Sequence, residues 1–598
     1  MFGGVFCSLR ATSQRSIWWA IFAFLLTSCG GQDARLAPPP ERPQLWYWLH
    51  SLLNSSAELE ATKVRIDRAY AEGYTGIAFW DVSFMYLNSP SWPSGAPGYL
   101  REGMAYAQSR GLQVLAQAAP YGYSNDVLNT NPNWAEGQRV VGSRFEVDQS
   151  GRQLRLLNSF PGISNGGFES DDSGWIAKSR WGVRDQGVEI DPLTSHSGAS
   201  SGVIRDVQRI GRFHQRLNLT SWRQYHLRLW VRTQEYRGPT PVVEVIDAKN
   251  GEEIRLYSYL AVKASQDWTQ IDTFFNSGSS TFAELYFGVW GPSRGAIWFD
   301  DVSLEETALV NLLRRSGTPV KVYGTESGAL VTEGIDVEAI KDPNLTPDPR
   351  QDYHDPPVVR VPVGSRLKPG DKVSIDFYEV QPAYGHQMGL CLTEPAVRAW
   401  DQENARTIAS VVPPGSGVFL MYDETRQMNS CALCRSRNLS AGEILAWHVS
   451  ETIRRWESLR PGCSIYVWSD MFDPYANAHD HYFFVEGNLA GSWKGLPAQV
   501  TIMNWDLPHR RESLKWFSGT NWSQPIAHRQ IIAGYYDSHD GRSSAIQELQ
   551  QARGVPGIDG LMYTTWEGDD SQAAAFAEAA RQHWAQYRNS INTALLSK

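Results

Sequence analysis

Carboxylic acids that follow short apolar runs and sit beside aromatic residues recur through this sequence. The densest case is Val418-Phe419-Leu420-Met421-Tyr422-Asp423-Glu424, where an apolar run stops at two adjacent acids. Pro413, Pro414 and Gly415 punctuate the run upstream, and four consecutive apolar residues suit a strand buried on both faces. Acids at the C-terminal end of such a strand stand at the mouth of a parallel α/β barrel, where chemistry is done. Five further runs end alike: Trp80-Asp81, Trp468-Ser469-Asp470, Trp505-Asp506, Tyr535-Tyr536-Asp537 and Trp566-Glu567. Aromatic faces stack on the C–H faces of a pyranose ring and carboxylates accept hydrogen bonds from its hydroxyls. Such a set suits a neutral sugar and repels an anionic one. Asp506, just before Pro508, reads best as a helix cap.

Cleaving a glycosidic bond needs a proton donor at the leaving oxygen and a group that stabilises or captures the anomeric carbon. Glu424 is the expected general acid/base and Asp423 its partner, an ionised Asp423 raising the pKa of Glu424 so that it stays protonated. Neighbouring strand residues point to opposite faces, so a bulge or twist has to turn both acids toward the opening. The expected substrate-binding set is Trp80, Asp81, Trp468, Asp470, Trp505, Tyr535, Tyr536, Asp537, Trp566 and Glu567. A two-carboxylate retaining enzyme would instead take its nucleophile from the seventh strand, where Asp537 is the acid. Outside the enzymes, a non-catalytic glycan-binding protein is the alternative, because a pocket of this composition binds whether or not it cleaves. Neither enzymatic route requires a cofactor.

The elements that must position these residues alternate. Strands at 45–50, 74–81 and 112–118, with helices between them, are followed much later by strands at 417–423, 464–470, 499–506, 530–537 and 560–567. Helices are expected at 396–410, 440–458, 508–517, 543–553 and 571–588, two of the helices starting on the pairs Ser55/Glu58 and Ser440/Glu443. Eight strand and helix pairs make an α/β fold, a (β/α)8 TIM barrel formed by 44–135 and 386–590 and interrupted after its third strand. A further strand is expected at 388–395. Hairpins at 139–156 and 358–380 suggest a β-rich decoration built from 136–157 and 307–385. Between them, 158–306 has short strands, Gly, Ser and Asn turns and no good helix, which predicts a β-sandwich.

At the N-terminus, Arg10 and Arg15 precede the apolar stretch Ile17–Leu26, too short to span a bilayer, so 1–28 read as a secretory signal and 29–43 as a tether. The formal net charge of −9 excludes nucleic acid as a natural partner. Carbohydrate is the expected partner instead. Cys391, Cys431, Cys434 and Cys463 would then meet an oxidising compartment, where one or two disulfides are expected. The Cys-x-x-Cys at 431–434 has the spacing of half a zinc site, but no second such pair or spaced histidines complete it.

Three stretches resemble known families. Leu26-Thr27-Ser28-Cys29 resembles the bacterial lipobox, which implies a lipidated Cys29 and a cell-envelope protein touching the membrane only through that anchor. With Gly30 in place of Asp, this would be the outer membrane of a Gram-negative host. The segments NGGFES (165–170) with Trp175, HSGASSGVI (196–204) and AIWFDDVSLEE (296–306) resemble carbohydrate-binding modules of families 4 and 9. That resemblance implies a structural calcium, with Glu169 and Asp301 as candidate ligands. The barrel from 416 to 570 resembles glycoside hydrolase family 20, the β-hexosaminidases, in which an adjacent Asp-Glu pair ends the fourth strand. It implies Glu424 as acid/base and Asp423 as the group orienting a 2-acetamido nucleophile of the substrate. Trp468 and Trp505 would be walls, Tyr535 or Tyr536 the acetamido contact, and Trp566 with Glu567 the hydroxyl contacts. The family's His-x-Gly-Gly is replaced here by Leu420-Met421-Tyr422, and no arginine follows the first strand.

Overall fold

In the computed structural model of the chain, residues 36–175, 185–247, 254–345, 353–505, 508–520 and 527–596 are described. The leader, Cys29 and Asp506 lie outside the described residues. Eight parallel strands close into a barrel: β1 (Gln44–Ser51), β2 (Gly76–Asp81), β3 (Gln113–Pro120), β4 (Gly417–Met421), β5 (Ile465–Trp468), β6 (Thr501–Asn504), β7 (Gln530–Ile532) and β8 (Ile558–Tyr563). Closure is made by β1 against β8, with Gln44 opposite Gly560 and Tyr47 opposite Tyr563.

Side chains that alternate along the strands sort into two cores. Trp46, Trp48, Phe419, Met421, Tyr466, Trp468, Met503 and Met562 fill the barrel interior. The intervening positions, such as Tyr47, Val418, Leu420 and Val467, pack outward against the helices. Among those helices are α1 (Ser56–Ala71), α2 (Ala96–Ser109), α3 (Pro395–Val411), α4 (Ala441–Leu459), α5 (Arg510–Phe517), α6 (Gly541–Gln551) and α7 (Ala573–Leu596). Ser440 and Glu443 close a complete capping box on α4, whose Leu445, Val449, Ile453 and Trp456 are all buried.

Three expectations need correction. No α-helix lies between β5 and β6 among the described residues; single 3-10 turns at Asp470–Phe472 and Ser492–Gly495 stand there, in a segment broken by Pro474, Gly487 and Gly491. The segment 388–395 is not a strand and contributes one isolated bridge, Ala135 to Leu390. Nor do 358–380 form a hairpin: only Lys372–Glu379 is a strand, while Arg360 makes a lone bridge to Gln153.

Between β3 and α3 the chain builds antiparallel sheets. One has five strands in the order Leu330–Val331, Lys321–Gly324, Lys372–Glu379, Gln138–Val147 and Leu154–Leu156. Two others lie within 188–307. A four-stranded sheet holds Ile254–Tyr259, Val242–Asp247, Phe282–Trp290 and Ile210–Asn218; a five-stranded one holds Gln266–Asn276, Gln224–Arg237, Arg294–Thr307, Ser201–Arg205 and Val188–Asp191. One apolar cluster joins them, with Phe213, Leu285 and Phe287 from the first and Leu227, Leu229, Val231 and Phe299 from the second.

The chain enters the barrel from the end where the strands begin. The Trp584 indole donates to the Pro40 carbonyl at 2.9 Å and Arg529 donates to the Ala37 carbonyl at 2.7 Å, which pins 37–40 across that floor. Among the described residues no helix is long and apolar enough to cross a membrane.

Candidate functional site

At the opposite end, the C-terminal mouth, lies a cavity of about 530 Å³ lined by residues from seven of the strand ends. Trp80, Trp468, Trp505, Tyr535 and Trp566 form much of its wall, and Asp423 and Glu424 both face it. Trp48, one layer deeper, supports the wall: its ring centroid is 5.5 Å from that of Trp468 and 5.2 Å from that of Trp566.

Backbone irregularity explains how two adjacent acids reach one opening. The pairing of β4 with β3 shifts register between Phe419 and Met421. Tyr422 then turns outward, its hydroxyl 2.7 Å from His448 Nδ1 and 3.0 Å from Thr452 Oγ1 in the barrel–helix core. Asp423 points in, and Glu424 adopts a left-handed backbone with φ of 47°. That conformation costs a non-glycine residue about 1–2 kcal/mol, and the carboxyl that follows is thereby turned back into the cavity. Gly122, at the end of β3, makes room for this kink: a Cβ there would lie 2.1 Å from the Asp423 carbonyl oxygen.

The two acids have unlike surroundings. Arg426 donates to Glu424 Oε1 at 2.5 Å, and the Tyr123 hydroxyl donates to Glu424 Oε2. Asp423 has no such ion pair among the described residues; burial first, then the neighbouring Asp470 and Glu424, hold its carboxyl well above the usual carboxylate range. These causes favour the neutral form of Asp423, whereas the sequence reading expected Asp423 ionised. Asp470, expected to bind substrate, is not among the cavity's lining residues. It is 1 % exposed, accepts from the Glu424 N–H at 2.8 Å and from the Trp505 indole at 3.1 Å, and burial pushes it up to about 6.

Other expected residues stand elsewhere. Asp81 is fully buried and accepts from Ser51 Oγ, Leu53 N and Ser83 N, tying the end of β1 to that of β2. Asp537 accepts from Thr565 Oγ1, Trp566 N at 2.7 Å and Glu567 N at 3.2 Å. It clamps the loop after β8 and is not among the cavity's lining residues, so it is not placed as a nucleophile. Tyr536 packs on Tyr563 and Phe576 in the outer core. Glu567 is exposed at the rim and accepts from the Tyr535 hydroxyl at 3.3 Å.

Sequence reasoning missed Tyr123, Asp126 and Arg426. Tyr123 and Asp126 line the cavity and follow β3 as Tyr-x-x-Asp, an aromatic and an acid separated by two residues rather than adjacent. Burial raises the Asp126 carboxyl, which accepts from the Tyr86 hydroxyl at 3.2 Å. Arg426, two positions beyond Glu424, was legible as a charge partner in the same loop.

Glu169 and Asp301 lie in the two-sheet region and flank Gly167. With Asp300 they converge on the 196–200 loop: Glu169 accepts from Ala199 N at 2.9 Å, Asp300 from His196 N at 2.7 Å, and Asp301 pairs with His196 Nδ1 at 2.6 Å.

No protein-family model matches the sequence, and no curated protein matches it. Among solved structures, the similar ones include a family 4 carbohydrate-binding module at 15 % identity, with 24 % of this chain and 99 % of that chain covered and a TM-score of 0.20. A family 61 module solved with β-1,4-galactotriose matches at 17 % identity over 24 % of this chain and 97 % of that one, TM-score 0.19. A rhamnosidase from Novosphingobium sp. PP1Y matches at 12 % identity over 92 % of this chain and 59 % of that one, TM-score 0.31.

Proposed function

We propose that this chain is a glycoside hydrolase whose reaction takes place between Asp423 and Glu424 at the barrel mouth. The observation that carries the reading is two adjacent acids in a tryptophan-walled cavity, Glu424 paired with Arg426 and Asp423 without an ion pair among the described residues. Indole faces receive the apolar faces of a sugar ring, while the rim supplies Glu567 and Tyr535 for its hydroxyls. Asp423, holding its proton, donates it to the leaving oxygen. Glu424, paired with Arg426, stabilises the positive charge that grows at the anomeric carbon or activates the incoming water. Asp470 holds Glu424 by its backbone, so the angle between the two carboxyls is fixed before substrate arrives.

The substrate class is tested with the purified protein on aryl β-N-acetylhexosaminides, aryl β-glycosides and aryl α-glycosides, alongside glycan binding. Turnover of at least one panel member is expected. Trp566→Ala should raise its KM about 5- to 100-fold, since one stacked aromatic contributes about 1–3 kcal/mol. Activity confined to 2-acetamido substrates would support substrate assistance, as the family 20 resemblance implies. Tight glycan binding with no turnover of any substrate would instead identify a non-catalytic binding protein.

In the same reading, residues 158–306 are a jelly-roll sandwich that holds glycan near the barrel, and the protein is exported and anchored through Cys29. Glu169 and Asp301 hold a structural calcium that ties the sandwich's first and last strands. Saturating Ca2+ is then expected to raise the Tm by about 5 °C over EDTA-treated protein, and Glu169→Ala to abolish the rise. An unchanged Tm in the unmutated protein removes the calcium from this account.

A further inference from the structure

The four residues Glu136, Cys391, Cys431 and Cys434 come from three distant stretches of sequence and meet in one buried pocket, their ligand atoms all within 4.8 Å of one another. All four are fully buried. We propose that they form a closed, tetrahedral zinc site that fastens the catalytic loop to the neck of the inserted region.

The sulfur geometry is the first argument. Cys391 Sγ lies 3.7 Å from Cys431 Sγ and 3.7 Å from Cys434 Sγ. A tetrahedral Zn–S bond length of about 2.3 Å requires sulfurs about 3.8 Å apart along each edge. A disulfide requires about 2.0 Å and joins only two thiols, which would leave the third buried and odd. All three are free thiols here.

The fourth position and its surroundings agree. Glu136 Oε1 accepts from Ser430 N at 2.9 Å, Ser430 Oγ at 3.0 Å and Cys431 N at 2.8 Å, which fixes the carboxylate. Its Oε2 faces Cys434 Sγ at 3.5 Å. Such fixing of a ligand from behind is what metal sites require. Three thiolates and a carboxylate would bring four negative charges into a dry pocket. Arg315, whose Nη1 lies 3.8 Å from Cys431 Sγ, is already paired with Glu394 at 2.9 Å. A divalent cation offsets two of those four charges, and on binding releases the thiol protons.

Placement gives the site its consequence. The chain leaves the barrel at Ala135-Glu136 and comes back past Leu390-Cys391, where Ala135 and Leu390 bridge. Cys431 lies seven positions beyond Glu424, and Gln427, midway, accepts from Gly389 N at 2.9 Å. A metal here would lock exit, return and catalytic loop together.

The test is metal analysis of the protein purified without chelator or reductant. One equivalent of zinc per chain is expected, retained on dialysis against EDTA and released stoichiometrically by a thiol-blocking mercurial. Cobalt exchanged into the site should show a thiolate-to-metal charge-transfer band. Cys391→Ser and Cys434→Ser should each lose the metal, whereas Cys463→Ser should keep it. If the serine variants do not fold, the mercurial release and cobalt spectrum of the unmutated protein decide alone. Absence of metal together with a disulfide between any two of the three cysteines would overturn the proposal, as would zinc retained undiminished in both serine variants.

Discussion

Asp423→Asn is expected to lower kcat/KM by about 10²- to 10⁴-fold on glycosides with poor leaving groups, and to spare those with activated phenols, which depart without protonation. Glu424→Gln should be damaged on both kinds of substrate, because the charge it stabilises appears whichever group leaves. The pH profile adds a second readout. Burial and two acidic neighbours raise the Asp423 pKa, so its proton is present on the acid side and lost as pH rises through that raised value. Activity on poor leaving groups should therefore fall on an alkaline limb that Asp423→Asn lacks when assayed with an activated phenol. The reverse pattern, with Glu424→Gln rescued by a good leaving group and Asp423→Asn not, would return the acid role to Glu424.

Gly122→Ala is expected to be nearly as damaging, although Gly122 touches no substrate. Its added Cβ would meet the Asp423 carbonyl oxygen at 2.1 Å and the Glu424 carbonyl carbon at 3.0 Å, both of them backbone. Backbone in a kinked loop has no rotamer by which to escape, so the two carboxyls must shift. A displacement of about 1 Å at reacting groups costs on the order of 10²-fold in rate. Gly98→Ala, on α2 with nothing within 4 Å of the new Cβ, serves as the comparison and should leave kcat/KM unchanged. Normal turnover by Gly122→Ala would mean that the loop's shape does not set the rate.

The strands were readable because each carries its burial in its own residues. Ile465–Trp468 and Gly417–Met421 are apolar throughout and buried throughout. Two adjacent acids facing one cavity could also be anticipated, since an acid pair after a buried strand has nowhere else of low cost to go. That the two acids have unlike partners was not readable, because it depends on Arg426 and Tyr123 reaching Glu424 and on Asp470 standing near Asp423. Asp81 and Asp537 misled for a related reason. An acid after an aromatic at a strand end looks the same whether it faces a ligand or receives the N–H groups of the next loop, as both of these do. The cysteine cluster was half visible in 431–434; its other half, Glu136 and Cys391, is brought in only by the antiparallel excursion that separates them.

The floor contacts of residues 37–40 bring the N-terminal stretch to the end of the barrel opposite the tryptophan-walled opening. From Cys29 to Leu36 the chain spans at most roughly 25 Å even when fully drawn out. Anchored as proposed, the barrel would therefore stand on its closed end close to the lipid surface, with its axis directed outward. The tryptophan-walled opening would meet what diffuses in from the surroundings, and the chains it trims would be those arriving from outside, not those displayed by the leaflet beneath it.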